Sequence, residues 1–304
     1  RARLRVCAFV SAGASVAEGA MRSAPTFPLS AVVIARNEAV NIERCLRSLA
    51  WCDERVVVDD YSTDDTPDRA RRQGARVVQR RFDSFAGQRN WALDHADLRH
   101  VWILMLDADE VMTEGLRKEI EQRLSAVDDN VAAYRLCRKT MFLGGWLKYS
   151  DGFPVWIMRL VRRDRARFRD LGHGEEPVPQ VDGRMETLRS PALHYPFSRG
   201  ISDWVERHNR YASREALLEI ENGGPCRFSE LFARDRATRR RSLRALSRRF
   251  PGRPLLRFVY QFLFCGGFLE GRSGLTFSLL MAWYEGLIVV KRWELDRVQQ
   301  GQEL

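Results

Sequence analysis

Val101-Trp102-Ile103-Leu104-Met105-Leu106-Asp107-Ala108-Asp109-Glu110 is a short apolar run that ends in alternating carboxylates. A run this short and this apolar predicts a strand buried on both faces, the condition of a parallel sheet. Two similar runs precede it. Leu29–Ala35 leads into Arg36-Asn37-Glu38, and Arg55–Asp59 leads into Asp60-Tyr61-Ser62-Thr63-Asp64-Asp65-Thr66. A third, Ala75–Val78, lies between. Helical spacing fills the gaps. Val40, Ile42, Cys45, Leu46 and Leu49 share a face in Ala39–Leu49, Gly74 stops Thr66–Gln73, and Phe85–His95 follows. Strand and helix in alternation predict βαβ units: an α/β fold, Rossmann-like, with a mostly parallel sheet and helices on both faces. Ligands of such sheets sit beyond the carboxyl ends of the strands. The polar residues after each strand are therefore the candidate site.

Each of these clusters has a bland reading. Asn37-Glu38 can simply begin a helix, and Asp64–Thr66 reads as an ordinary helix cap. Asp-Ala-Asp is short enough to occur by chance. Together, on successive strand ends, they gather oxygen donors without His or Cys, which suits a hard divalent cation, Mg²⁺ or Mn²⁺. Asp59 and Asp60 are placed to hydrogen-bond a base or a ribose. Neither G-x-G-x-x-G nor a Walker A sequence follows any strand, which argues against dinucleotides and P-loop nucleotides. Without a glycine-rich loop or a lysine, a metal is expected to carry the charge of a diphosphate. Asp107 and Asp109 have no basic neighbour in sequence, so they are expected to repel each other unless a cation lies between them.

After Glu110 the alternation loosens. Thr113–Leu124 predicts a helix capped by Thr113. Ala132–Leu136 and Val155–Val161 predict strands, with a turn at Gly144-Gly145. Ile201–Ile220 predicts a long helix whose packed face holds Ile201, Trp204, Val205, Tyr211, Ala212 and Leu218, ended by Gly223-Gly224-Pro225. At the other end, Arg1, Arg3 and Arg5 precede a mildly apolar stretch, Val6–Ala17. It weakly imitates a secretory signal, but Ser, Gly and Ala dominate it. Residues 1–28 are read as an unstructured leader outside the fold.

The 304 residues carry a net charge of +10, from 50 basic and 40 acidic side chains. The excess is local. Arg227 to Arg257 holds eleven arginines against Glu230 and Asp235, a net of +9. That is not the pattern of a uniformly basic nucleic-acid binder. The cluster feeds Leu255–Val290, which is dense in Phe, Leu, Trp and Tyr and has only Arg257, Glu270, Arg272 and Glu285 as charges. A basic stretch leading into an apolar one is how a peripheral protein engages an anionic leaflet; packing on the core is equally compatible. No apolar run reaches the ~20 residues of a membrane span, and Leu275–Val290, the longest, contains Glu285. Cys7, Cys45, Cys52, Cys137, Cys226 and Cys265 have neither zinc nor redox spacing, so a reducing compartment is the default.

Leu29–Glu110 resembles the nucleotide-binding half of family 2, GT-A fold glycosyltransferases. The matching residues are Val32–Glu38, Val57-Val58-Asp59-Asp60 with Ser62-Thr63-Asp64 and Thr66, Leu106–Glu110, and Gln88-Arg89-Asn90-Trp91-Ala92. The subgroup that builds lipopolysaccharide core and surface polysaccharide is similar further on, at His194-Tyr195, Arg207–Ala212 and Gly267–Gly274. Tyr61 and Asp65 depart from it, standing where the family usually has Gly; Tyr61 is expected to narrow the nucleotide pocket. The resemblance implies inverting transfer from a nucleotide-sugar donor to a lipid-linked or surface-glycan acceptor. It implies a nucleotide-sugar-binding half at 29–125, an acceptor-binding half at 126–225 and a basic, then apolar, helical tail at 226–304. Asn37, Glu38, Asp59, Asp60 and Asp107 would hold the nucleotide, and Asp107 and Asp109 the cation. Inversion needs one general base. Glu175 or Glu176, in Gly172-His173-Gly174-Glu175-Glu176-Pro177, is the first choice and Asp151 the second. His194 and His208 are read as packing or hydrogen-bonding residues, His95 and His100 as surface residues. The expected location is cytoplasmic, on the inner face of the cell membrane, against an anionic surface and without nucleic acid. The rival readings are a polyprenyl-phosphate glycosyltransferase, a nucleic-acid binder using the arginines, and a sugar-nucleotide pyrophosphorylase. The last would need a glycine-rich basic loop after the first strand, and Ala35–Ala39 is not one.

Overall fold

The computed structural model describes residues 26–169, 178–221, 250 and 252–303. Glu175 and Glu176, the Gly223-Gly224-Pro225 stop and the arginines from Arg227 to Arg249 lie outside them, as do Cys7, Cys226 and nearly all of the leader.

Strands β1 (Phe27–Ala35), β2 (Cys52–Asp59), β3 (Arg76–Gln79) and β4 (Trp102–Asp107) are parallel, in the spatial order β3-β2-β1-β4. The chain steps outward from β1 to β3, then returns to β1's other side as β4. That reversal is a topological switch point, and it opens a crevice beyond the carboxyl ends of β1 and β4. Helices α1 (Ile42–Ser48) and α2 (Thr66–Arg72) cover one face, and α3 (Phe85–His95) the other. Leu29, Ala31 and Val33 pack with Ile42, Leu46 and Leu49, while Val32, Val56 and Val58 pack with Ala92 and Leu93. The first helix starts later than its apolar spacing suggests. Ala39–Asn41 form a turn, which leaves Val40 in solvent at 63% exposure. Helix α4 (Glu114–Ser125) begins as expected, with Thr113 Oγ1 accepting from Leu116 N at 3.2 Å.

The second half extends the same sheet. Its strands are β5 (Glu110–Val111), β6 (Val131–Phe142), β7 (Gly145–Trp146), β8 (Trp156–Arg162), the hairpin pair β9 (Ala166–Arg169) and β10 (Val178–Val181), β11 (Arg184–Thr187) and β12 (Ala192–His194). Beyond β4 the order runs β8-β6-β12-β5, with β8 antiparallel to both β4 and β6. Strand β6 outruns its apolar segment because it continues through Arg138, Lys139 and Thr140, polar residues that reach the strand-end crevice. Helix α5 (Ile201–Glu221) buries Trp204, Ala212 and Ala216, but Ile201, expected on that face, is 42% exposed.

From Arg253 on, the described part of the tail is helical, as expected. Helix α6 (Arg253–Val259) passes through a π turn (Tyr260–Phe264) and a 3₁₀ turn (Gly267–Glu270) into α7 (Gly271–Gln299). Buried Arg253 holds Glu219 of α5 at 2.8 Å and Glu285 of α7 at 2.7 Å. Glu285 therefore interrupts the apolar run to make an internal ion pair. By length and composition Gly267–Gln299 is long and apolar enough to cross a membrane, although no single run within it is, and only 28% of its most apolar window is buried.

His208 of α5 stacks on Trp204 at 3.5 Å between centroids, meets Tyr284 edge-on, and donates from Nδ1 to Trp204 O at 2.8 Å. Burial pushes its pKa down to about 4. The unfolded chain then binds the extra proton first, so acid favours unfolding. Stability is expected to fall as pH drops from about 6.5 to about 4. Urea titrations across that range should show the fall, and His208→Phe should remove this component. A pH-independent difference between the two proteins would contradict it.

Candidate active site

Register gathers the predicted residues. Ala35 pairs with Asp59, and Ile34 with Asp107, so the loops after β1, β2 and β4 leave the sheet at one level. The first two loops are laced together. Asn37, at φ 53°, donates its N–H to Ser62 Oγ at 2.8 Å and accepts from Thr63 N at 2.8 Å. Glu38 N donates to Thr66 Oγ1 at 2.7 Å, and Ala39 N to Asp64 Oδ2 at 3.2 Å. Asp64 is thus a tie between loops as well as a helix-start residue, and the Asn37 carboxamide oxygen is used in holding the floor.

Asp59 is fully buried, with Oδ2 accepting from Ser62 N at 3.1 Å. Its buried Oδ1 has no partner among the described residues and is left able to accept a hydrogen bond. Asp60 accepts from Phe82 N at 3.0 Å and pairs with Arg36 at 2.7 Å. Tyr61 takes φ 46°, the left-handed conformation that explains why glycine suits the position. Its half-exposed ring lies near the Arg81 guanidinium, 5.4 Å away.

The carboxylates after β4 differ from expectation. Asp107 lies between two guanidiniums, Arg89 of α3 at 3.1 Å and Arg159 of β8 at 2.7 Å. Arg159 also reaches Glu110 at 3.0 Å, and Arg138 of β6 reaches Glu110 at the same distance. Burial pushes the Glu110 carboxyl up, but Arg159 and Arg138 together hold it below its ordinary value. No cation is needed to neutralise Asp107; arginines remote in sequence do that.

Asp109 is placed otherwise. Strand β12 pairs with β5, His194 opposite Glu110, and brings His194 Nε2 to 3.5 Å from Asp109 Oδ2. Burial pushes the Asp109 carboxyl up, and His194 pulls it below its ordinary value. His194 Nδ1 is buried and has no hydrogen-bond partner among the described residues. One carboxylate and one imidazole fit a cation that takes most of its shell from phosphate and water. Among the described residues no three His, Cys, Asp or Glu side chains cluster as a complete cage. His194, read from sequence as a packing or hydrogen-bonding residue, pairs with Asp109 and adds an imidazole beside the carboxylates that follow β4.

Glu38 borders the same space. Burial, reinforced by Asp109, raises its pKa to about 7, against Asn41 and Arg199, the latter 3.0 Å away. Asp151, in the second half of the sheet, accepts from Thr140 Oγ1 at 2.5 Å. Burial raises it above the usual carboxylate range, against Thr140, His194 and Arg138. His100 pairs with Asp53 at 2.9 Å, at the opposite end of β2 from the site.

Residues 30–175 match the model of Glycosyl transferase family 2. An uncharacterised glycosyltransferase of Rickettsia bellii is 37% identical over 207 residues, 65% of this chain and 69% of its own. The lipopolysaccharide core biosynthesis glycosyltransferase LpsC of Rhizobium meliloti is 28% identical over 220 residues, 68% of this chain and 77% of its own. Among solved structures, the mannosyltransferase PcManGT of Pyrobaculum calidifontis, in complex with GDP-Man and Mn²⁺, is 18% identical with a TM-score of 0.47 over 90% of each chain.

Proposed function

Because this chain belongs to the family 2 glycosyltransferases, we propose that it moves a sugar, with inversion, from a nucleotide-sugar donor to a lipid-linked or surface-glycan acceptor on the inner face of the cell membrane. Lipopolysaccharide core or exopolysaccharide synthesis is the setting, in keeping with the role for which the Rhizobium meliloti relative is named. The observation that supports the reading is the shared level of the β1, β2 and β4 ends, which brings the carboxylates that follow them to one crevice.

Asp59 offers Oδ1 to a base N–H, and Asp60 with the laced Asn37–Glu38 backbone borders the ribose. Asp107, held by two arginines, faces the nucleotide as a fixed hydrogen-bond acceptor. Asp109 and His194 would hold Mg²⁺ or Mn²⁺; when bound, the cation neutralises the diphosphate and stabilises it as a leaving group. A polyprenyl-phosphate acceptor is the second reading, and the apolar tail beside the site favours it over a soluble glycan.

The acceptor proton is assigned to a carboxylate of the second half: Glu175 or Glu176, with Asp151 next. Replacing the true base by its amide is expected to lower turnover by about 10²- to 10⁴-fold while sparing donor affinity. Turnover measured for Glu175→Gln, Glu176→Gln and Asp151→Asn identifies it, and wild-type rates in all three would end the assignment. The donor half is tested by a thermal-shift screen of nucleoside diphosphates and nucleotide sugars with Mn²⁺. A true ligand at 100 times its Kd stabilises by about 2.7 kcal/mol. No stabilisation by any of them would count against the whole reading.

A further inference from the structure

The π and 3₁₀ turns between α6 and α7 have two faces. The inner face grips the acceptor side of the crevice. Glu270 accepts from Tyr149 N at 2.7 Å and from the Ser150 hydroxyl. Gln261, buried, donates to Ser150 O at 2.5 Å. The approach is close: a Cβ on Gly267 would lie 2.9 Å from Gln261 O and 3.3 Å from Ser150 Cβ. The gripped turn ends in Asp151, which Thr140 holds against β6. The outer face of the same short stretch shows Tyr260, Leu263, Phe264, Phe268 and Leu269, with Phe264 79% and Leu269 63% exposed. Apolar side chains at this density are not left to water without a partner.

We infer that this stretch moors the acceptor end of the site to a bilayer: the five outer side chains enter the acyl layer, while Glu270 and Gln261 act as positioning residues for the Tyr149–Asp151 turn. Charge selects the occupant. The arginines that precede α6 in sequence, Arg227 to Arg249, number nine against Glu230 and Asp235, a net of +7, and complement anionic headgroups. An apolar rim preceded in sequence by a basic segment is the composition of an interfacial, monotopic contact. The inference rests on the proposed lipid-linked acceptor, and it adds where that acceptor is met, at the membrane plane within reach of Asp151.

The test uses the full chain and vesicles of phosphatidylcholine, alone or mixed with phosphatidylglycerol, at low and high salt. Wild type is expected to float with mixed vesicles. Replacing Arg239, Arg240, Arg241 and Arg244 by Ser should remove the preference for phosphatidylglycerol. Replacing Leu263, Phe264 and Leu269 together by Ser should weaken partitioning by about a hundredfold or more at either salt, from the lost apolar burial. Undiminished flotation of the triple variant overturns the rim while leaving a membrane site of another kind. No flotation of wild type overturns both. A dimer in solution that the triple variant breaks would show that a second copy covers the rim instead.

Hydrogen exchange tests the mooring. Vesicles should slow exchange at Tyr149 and Ser150 in wild type. Glu270→Ala should speed it at least about tenfold and abolish the vesicle effect, Glu270→Gln should recover part of both, and the amides of Asn37 and Thr63 should be unchanged. Equal exchange in Glu270→Ala and wild type would remove the positioning role.

Discussion

Asp109→Asn is expected to abolish the Mn²⁺-dependent part of nucleoside diphosphate binding, a loss of about 100-fold or about 3 kcal/mol, with the fold intact. The side chain stands past the end of β4 rather than among the packed apolar residues, and its close described partner is His194 at 3.5 Å. Asn has nearly the same shape but lacks the charge a hard cation requires. His194→Ala should act in the same direction, since the two face each other across one small space. Asp107→Asn should not, because Arg89 and Arg159 already neutralise that carboxylate. Calorimetry in Mn²⁺ and in chelator separates the cases. Binding as tight in chelator as in metal, or full metal dependence in Asp109→Asn, would remove the cation from this site.

The second large effect belongs to Arg159→Met. Arg159 is fully buried and bridges Asp107 at 2.7 Å and Glu110 at 3.0 Å. Removing one member of a buried ionic network typically costs about 3–5 kcal/mol; Asp107 keeps Arg89 and Glu110 keeps Arg138, so the lower end of that range is expected. Lys should not rescue it, since a single ammonium cannot span both carboxylates as the guanidinium fork does. The sign of the pH dependence follows from Glu110, held below its ordinary value. A depressed carboxyl stabilises above its unfolded pKa, about 4.3, and that contribution is lost as pH falls through the folded value. The stability gap between wild type and Arg159→Met, from urea unfolding, should therefore be largest near neutrality and narrow in acid. A gap that stays constant, or a variant as stable as wild type, would show that the bridge is not what holds the strand ends.

The carboxylates of the site were legible because a buried strand declares its own end. Leu106 is apolar and Asp107 is not, and a parallel sheet puts that transition at the ligand edge. The arginines were not legible. Arg89 lies on a helix, Arg138 and Arg159 on strands of the other half, and only the β4-β8-β6 pairing brings all three to Asp107 and Glu110. Because of them, charge repulsion was a poor reason for placing a cation at Asp107, although Asp109 with His194 still suits one. The His194–Asp109 contact was not legible for a related reason: a three-residue strand such as β12 has too little pattern to announce that it will pair beside β5. Val40 shows the opposite error, an apolar residue at helical spacing spent in a solvent-exposed turn.

The pairing of β4 with β8 also bears on how such enzymes diversify. Trp102, Ile103 and Leu104 lie opposite Arg162, Val161 and Leu160 in an antiparallel ladder, so the first and second halves of the sheet are joined by strand pairing rather than by a linker. Severed after α4, the front half would bare its side of that ladder as a sticky margin beside apolar side chains, and it should self-associate rather than persist as a free nucleotide-binding module. Exchanging whole halves would therefore break a strand pairing inside one sheet. New acceptor preferences are expected to accumulate in the loops between strands of an inherited, undivided sheet.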